Sequence, residues 1–281
     1  MPDIQNFTYH CHTNFSDGRN SIGEMLLCAK DLGFSEIGVS DHLMVHKNMQ
    51  QSKSAEFWRQ QQHAWIFYDD FQKILPMYQR HCENLRRKAK ELNIKLYVGF
   101  EVDFFTYDGW LEEFKEFITQ LDYDYLISGN HMFFDESGED LFDINYFRYM
   151  NPDAEMAKDY LHRHFQTIEK AVQSGVFKFL AHLDYARKLG EAVCSADSFK
   201  GEKTAILEAL QNQNVGMEIS TKGLRKIGDF YPCGWILDEA AKRNIKMVIS
   251  DDAHKIEELG MDFAKAESAL LAHNIKNRMK F

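Results

Sequence analysis

The chain has 281 residues, of which 44% are hydrophobic and only four are proline, and its formal net charge is -10. That balance excludes a disordered or low-complexity polypeptide, and it argues against a general nucleic-acid-binding surface, which carries a basic stripe. An anionic substrate stays open, because bound divalent cations reverse the local sign.

Strand-like runs alternate with helical ones along the whole length. Phe7–His12 reads as a strand and Ile22–Leu32 as a helix, with Ile22, Met25, Leu26, Ala29 and Leu32 on one face. The alternation continues with strand Glu36–Asp41, helix Phe71–Leu92, strand Lys95–Phe104, helix Leu111–Leu121, strand Tyr125–Gly129 and helix Ala154–Ser174. It ends with strand Phe179–His182, helix Lys203–Gln213, strand Gly216–Ser220, helix Trp235–Arg243, strand Lys246–Ser250 and helix Phe263–His273. Seven strands each followed by a helix imply one α/β domain over 1–281 with a parallel sheet, closed as a barrel or open and doubly wound. Closure is favoured because candidate ligands follow nearly every strand, and a barrel's C-terminal rim gathers such positions. Residues 45–69, with Phe57, Trp58, Trp65, Phe67 and Tyr68, and residues 133–150, which mix aromatics with acids, read as insertions at that rim. Their aromatics serve equally well as local core or as substrate lids.

No apolar run approaches the roughly 20 residues of a membrane span, and Met1 to Phe7 lacks the basic and apolar regions of a signal peptide. The cysteines Cys11, Cys28, Cys82, Cys194 and Cys233 are odd in number and contain no C-x-x-C. The expectation is a reduced, cytoplasmic protein with no membrane or nucleic-acid partner.

Nine potential metal ligands cluster at or just after the ends of the apolar runs. His10 and His12, two apart on a strand, project to one face, with Cys11 on the other. The turn-rich loop Thr13-Asn14-Phe15-Ser16-Asp17-Gly18 can return Asp17 toward them, although Asp17 reads as well as a turn or helix-entry residue. Asp41-His42 closes a buried strand, a costly place for polar groups unless they are paired or metal-bound; His42 is the expected ligand, with Asp41 orienting it from behind. Glu101 interrupts the apolar run Leu96–Phe100, where a carboxylate can bridge two cations, and Asp103 alternates with it. His131 and His182 repeat the same topological position, and Asp252 and His254 close the last strand, with Asp251 expected to point away.

In the order Tyr9-His10-Cys11-His12-Thr13, Ser16-Asp17-Gly18, Ser40-Asp41-His42, Gly99-Phe100-Glu101, Gly129-Asn130-His131, Ala181-His182 and Ser250-Asp251-Asp252-Ala253-His254, the chain resembles the polymerase-and-histidinol-phosphatase (PHP) family of metallophosphoesterases. The resemblance implies a distorted seven-stranded (β/α) barrel of the TIM type and three divalent ions, with zinc, manganese or iron suiting the donors. By position, it implies that His10, His12, Glu101 and Asp252 hold one ion, that Glu101, His131 and His182 hold a second, and that Asp17, His42 and His254 hold a third. Gly-Asn-His131 departs from the more usual Gly-Ser-x-His arrangement, and Asp251 is an extra acid.

Family membership leaves the substrate open. Arg187 and Arg225 fall just after predicted strands, where a guanidinium fork matches phosphate oxygens. The stretches around them resemble the histidinol-phosphate phosphatase branch, with its His-x-Asp-x-x-Arg-Lys and Glu-(Ile/Leu)-x-Thr-x-Gly-Leu-Arg-Lys patterns; Ser220 replaces a frequent Asn, and Tyr231-Pro232 also matches. The implied activity is hydrolysis of L-histidinol phosphate in histidine biosynthesis, by a hydroxide held between two metals. Glu101, Asp17 and His254 would support it, no general acid is assigned, and Asp135 or Asp143 would meet the substrate's ammonium. A nuclease on the same barrel and a non-catalytic metal-binding protein are the weaker readings. A metal-dependent amidohydrolase is another, for which no bridging lysine stands out.

Overall fold

The computed structural model describes residues 4–60, 67–134 and 141–281. In chain order its elements are β1 (Phe7–Thr8), α1 (Ile22–Asp31), β2 (Glu36–Leu43), α2 (Lys53–Gln60), α3 (Phe71–Leu92), β3 (Leu96–Val102), α4 (Trp110–Ile118), β4 (Tyr125–Ser128), β5 (Met132–Phe134) and β6 (Leu141–Asp143). They continue with α5 (Ile144–Tyr149), α6 (Ala154–Gln173), β7 (Phe179–Leu180), α7 (Lys200–Gln213), β8 (Gly216–Ser220), α8 (Lys222–Ile227), α9 (Gly234–Lys242), β9 (Met247–Ser250) and α10 (Phe263–Ala272). Three short 3-10 turns complete the list, at Met49–Gln51, Tyr185–Leu189 and Ile256–Glu258.

Seven strands lie in the order β1-β2-β3-β4-β7-β8-β9, every neighbouring pair parallel. The sheet curls into a nearly closed barrel, which rules out the open arrangement. Its two edge strands meet through a bridge between Cys11 and Ala253, where His12 N–H donates to Ala253 O at 2.8 Å. Lower down, the Gln5 carboxamide replaces missing ladder bonds. Its Nε2 donates to Phe7 O and to Ile249 O, each at 2.7 Å, and its Oε1 accepts from Ile249 N–H at 3.2 Å.

Below the rim the barrel is dry and aromatic. Tyr9, Tyr125 and Phe179 are buried there with Ile127 and Val248. The Tyr125 hydroxyl donates to Tyr9 O at 2.7 Å, and its ring lies so close to Gly99 that any Cβ there would collide with it. The helices pack outside the strands; the ring of Tyr78 in α3, for example, lies 5.3 Å from that of Phe100 in β3. Helix starts follow local chemistry. Ser21 and Glu24 make a reciprocal capping box on α1, and Asp70 caps α3.

The described parts of segments 45–69 and 133–150 follow β2 and β4. They are tied together. Asp143 N–H donates to Ser54 Oγ at 2.7 Å, and Trp58 Nε1 donates to Asp143 Oδ2 at 2.9 Å. Phe133, Phe142 and Phe147 of the second segment are core residues. Trp65, Asp135, Glu136, Glu139 and Asp140 lie outside the described residues. All five cysteines are free thiols, and no described helix is long and apolar enough to cross a membrane.

Candidate metal centre

All nine predicted ligands converge at the C-terminal end of the barrel. Glu101 at the end of β3 is the hub. Its Oε2 lies 3.2 Å from His10 Nε2, 3.3 Å from His12 Nε2 and 3.2 Å from His42 Nδ1. Its Oε1 faces the other way, 2.9 Å from His182 Nε2 and 3.5 Å from His131 Nε2. Asp252 Oδ1 lies 3.3 Å from His12 Nε2 and 3.6 Å from His10 Nε2. Asp17 spans the remaining pair, 3.4 Å from His42 Nε2 and 3.0 Å from His254 Nε2.

Four overlapping groups bring three or more donor atoms within reach of one ion: His12, Asp17, His42 and His254; His10, His182 and Asp252; His10, His12 and Glu101; His42, Glu101 and His131. They differ from the expected sets by sharing His10, His12 and His42 between neighbours and by placing His182 beside Asp252. The donors fit divalent cations. His10 Nε2, His12 Nε2, Glu101 Oε2 and Asp252 Oδ1 are buried and hydrogen-bond to nothing described, a costly arrangement for polar atoms unless a cation accepts them.

Groups behind the ligands set which nitrogen faces inward. His10 Nδ1 sits 2.8 Å from Glu218 Oε2, whose other oxygen accepts from His182 N–H at 2.9 Å. His131 Nδ1 sits 3.0 Å from Asp103 Oδ2, and His254 Nδ1 sits 3.0 Å from Asp252 O. Glu218 opens the Glu-(Ile/Leu)-x-Thr pattern, but its role behind His10, 208 residues away, escaped the sequence reading. The backbone bends to aim these groups. Asn130, His182 and Asp252 have φ of 48°, 22° and 46°, a left-handed region that non-glycine residues enter at a cost, commonly at functional sites. Gly129 is required too, because a Cβ there would strike the Glu101 carboxyl.

Burial alone would raise the carboxyl pKa values of Glu101, Asp17 and Asp252. The surrounding histidines, with Lys222 at Asp252, outweigh it and hold all three well below the usual range.

Asp41 does not orient His42, because the two alternate on β2. It accepts from Thr13 N–H at 2.7 Å, Thr13 Oγ1 at 2.8 Å and Ser16 Oγ at 2.6 Å, and it pairs with His81 Nε2 at 2.9 Å. Its work is to pin the loop that carries Asp17. Asp251 points away from the cluster, as expected, toward Thr8 Oγ1 at 3.1 Å and Gly260 N–H at 2.6 Å.

The cluster opens into a cavity of about 720 Å³. Tyr185 and Trp58 line it, and so do the cationic side chains of Lys188, Lys222, Arg225 and Lys226. Arg225 is held by Asp251 O at 2.7 Å. Arg187 is turned away: it is buried, with Nη1 3.3 Å from Asp184 Oδ2 and 3.2 Å from Phe230 O, and with Nη2 2.8 Å from Asp229 Oδ2. Its neighbour Lys188 faces the cavity instead, bonded to Tyr185 Oη at 3.0 Å and to Asn145 Oδ1. Asp143 is buried and absent from the cavity wall. Its carboxylate caps α5 through Asn145 N–H at 2.9 Å and takes the Trp58 bond, so an ammonium does not reach it. A lysine approaches the ligands without bridging two donor sets. Lys222 Nζ lies 2.8 Å from Asp252 Oδ2, the oxygen that also lies 3.9 Å from His182 Nε2.

Residues 8–222 match the model of the PHP domain. A Deinococcus radiodurans protein named "Probable histidinol-phosphatase" is 27% identical over 202 residues, covering 68% of this chain and 70% of that one. Two solved structures share the fold. One, from Listeria monocytogenes, has 18% identity and a TM-score of 0.71, covering 92% of this chain and 99% of its own. The other is histidinol phosphate phosphatase from Lactococcus lactis, solved with zinc, L-histidinol and phosphate. It has 18% identity and a TM-score of 0.69, covering 99% of this chain and 96% of its own.

Proposed function

We propose, on the premise that the chain belongs to the PHP domain family, that it is a metal-dependent phosphoric monoester hydrolase that cleaves L-histidinol phosphate to L-histidinol and phosphate. The Deinococcus relative's name and the Lactococcus complex support that substrate. The observation that carries the reading is the junction of two environments. A carboxylate hub shared by five imidazoles opens directly onto a cavity walled by cations.

His10, His12, Glu101 and Asp252 would hold one ion, Glu101, His131 and His182 a second, and Asp17, His42 and His254 a third; zinc, manganese and iron all suit these donors. Bound divalent ions supply hydroxide at neutral pH and polarise phosphoryl oxygens. The chain's own residues do the rest. Arg225 and Lys188 hold the phosphate against the ligand cluster, where charge develops. Tyr185 and Trp58 offer ring faces to an imidazole. Asp17 and His254 meet at 3.0 Å on the border of cluster and cavity, where they would help hold the ion nearest the substrate. Five free thiols fit a reducing cytoplasm.

A substrate panel tests this. Histidinol phosphate and p-nitrophenyl phosphate should be hydrolysed by metal-loaded protein, with bis-p-nitrophenyl phosphate, single-stranded DNA and a dihydroorotate-type amide poor or inert. Equal turnover of glycerol phosphate and histidinol phosphate removes the specificity. Preference for the diester or DNA removes the monoesterase reading itself.

A further inference from the structure

Lys222 stands between Thr221 and Gly223, at a position that the histidinol-phosphatase pattern leaves open. It begins α8 directly after β8. The next residue is tightly packed: a Cβ at Gly223 would collide with the main chain of residues 229–231. The lysine side chain is 11% exposed, and its ammonium lies 2.8 Å from Asp252 Oδ2. The other oxygen of that carboxylate faces His12 at 3.3 Å and His10 at 3.6 Å. The same lysine lines the cavity. One fixed positive charge therefore touches a candidate metal ligand on one side and the proposed phosphate space on the other.

We propose that Lys222 acts on both sides at once: it weakens the hold on the ion shared by His10, His12 and Asp252, and it strengthens the binding of phosphate in the cavity. The first effect has two causes of the same sign. The ammonium shares the carboxylate charge that a metal would use, and it repels a divalent cation a few ångströms away. The second is a charge-assisted contact to a phosphate oxygen. Only the phosphate half rests on the function proposed above. The metal half holds for any ion-binding role of the cluster. Lys222 is thus a positioning residue toward Asp252 and a binding residue toward phosphate.

The test uses full-length Lys222→Met and Lys222→Arg. Protein stripped by chelator is titrated with zinc against a competing chelator dye. Zinc-loaded protein is then titrated calorimetrically with inorganic phosphate. Lys222→Met should bind its weakest ion tighter by roughly tenfold or more and bind phosphate weaker by roughly tenfold or more. Lys222→Arg should stay near wild type in both. Opposite signs are the signature, since a variant that folds poorly loses both affinities. Loss of both in Lys222→Met and in a second neutral variant, Lys222→Gln, makes Lys222 structural and overturns the proposal. Tighter zinc with unchanged phosphate affinity overturns its phosphate half, and unchanged zinc affinity overturns its metal half. If wild type cleaves no monoester, the proposed function fails, and the zinc titration still decides the role of Lys222 at Asp252.

Discussion

Arg187→Ala separates a pin from a phosphate clamp. The guanidinium is buried among Asp184, Asp229 and Phe230 O and joins the turn after β7 to the segment after α8. Asp184 is fully buried, and its other described partner at the same oxygen is Cys233 N–H at 2.9 Å. Truncation strands that carboxylate. Breaking a buried pair from one side costs about 3–5 kcal/mol, and hydrogen bonds to charged groups contribute about 1.5–3 kcal/mol each. The Asp229 contact is discounted, because that side chain is 46% exposed. Burial already pushes the Asp184 carboxyl up despite Arg187, so protonation limits the loss. A net loss of about 3 kcal/mol follows, which in a chain of this size lowers Tm by about 6–12 °C. Thermal unfolding of metal-loaded protein, paired with the inhibition constant of phosphate, reads both properties. Tm should fall while phosphate inhibition stays within about twofold. An unchanged Tm with phosphate affinity weakened about tenfold would return Arg187 to the cavity and refute the assignment.

Glu101→Gln should lower turnover at least about 100-fold and release at least one ion per chain by elemental analysis, because the amide keeps the shape but offers only one acceptor oxygen to two sets of imidazoles. Near-normal turnover at unchanged metal content would contradict the hub role. Lys188 sets a pH limb. Burial, then repulsion from Lys222 and Lys226, pulls its ammonium down to about 7; Asp143 opposes the shift and Arg148 adds to it. The group is cationic below that value and neutral above it, so kcat/KM for a monoester should fall as pH rises through about 7. Lys188→Arg should remove that fall under the same conditions, which cancels the titration of the substrate. A profile identical in both proteins would clear Lys188 of the role.

Most of the converging donors were legible because they sit at or near the end of an apolar run, a position that a parallel barrel gathers; Asp17 comes instead from the loop after His12. Helix Phe71–Leu92 and strand Gly216–Ser220 were read with the observed bounds, since both have uninterrupted periodicity. Strand Phe7–His12 was read too long. Its ladder ends at Thr8, and the next residues leave it to carry His10 and His12 inward. That Arg187 turns away while Lys188 faces the cavity follows from a 3-10 turn, in which adjacent side chains diverge by about a third of a revolution, a rotation that no spacing rule reports. Glu218 and His81 act through partners distant in sequence, and each looks ordinary in its own element. The aromatics of 133–150 could serve as core or lid, and packing assigns Phe133, Phe142 and Phe147 to the core, with Phe133 stacked on Phe147 at 5.0 Å, whereas Tyr149 is exposed.

Charge in this molecule is layered, and the layers explain why an acidic chain can draw in an anion. Glu218 and Asp103 lie furthest back and polarise His10 and His131. Those imidazoles, with Glu101, Asp17 and Asp252, form a donor layer that favours cations. Lys188, Arg225 and Lys226 line the cavity beyond and favour anions. Divalent ions in the donor layer would satisfy both neighbours at once, by neutralising the buried carboxylates and presenting positive charge to a phosphate. Lys222 is the point where the two layers touch, through Asp252. Perturbations should therefore divide by layer. Loss of Glu101 should disturb ions and substrate together, loss of Arg225 should disturb substrate alone, and Lys222 should move the two affinities in opposite directions.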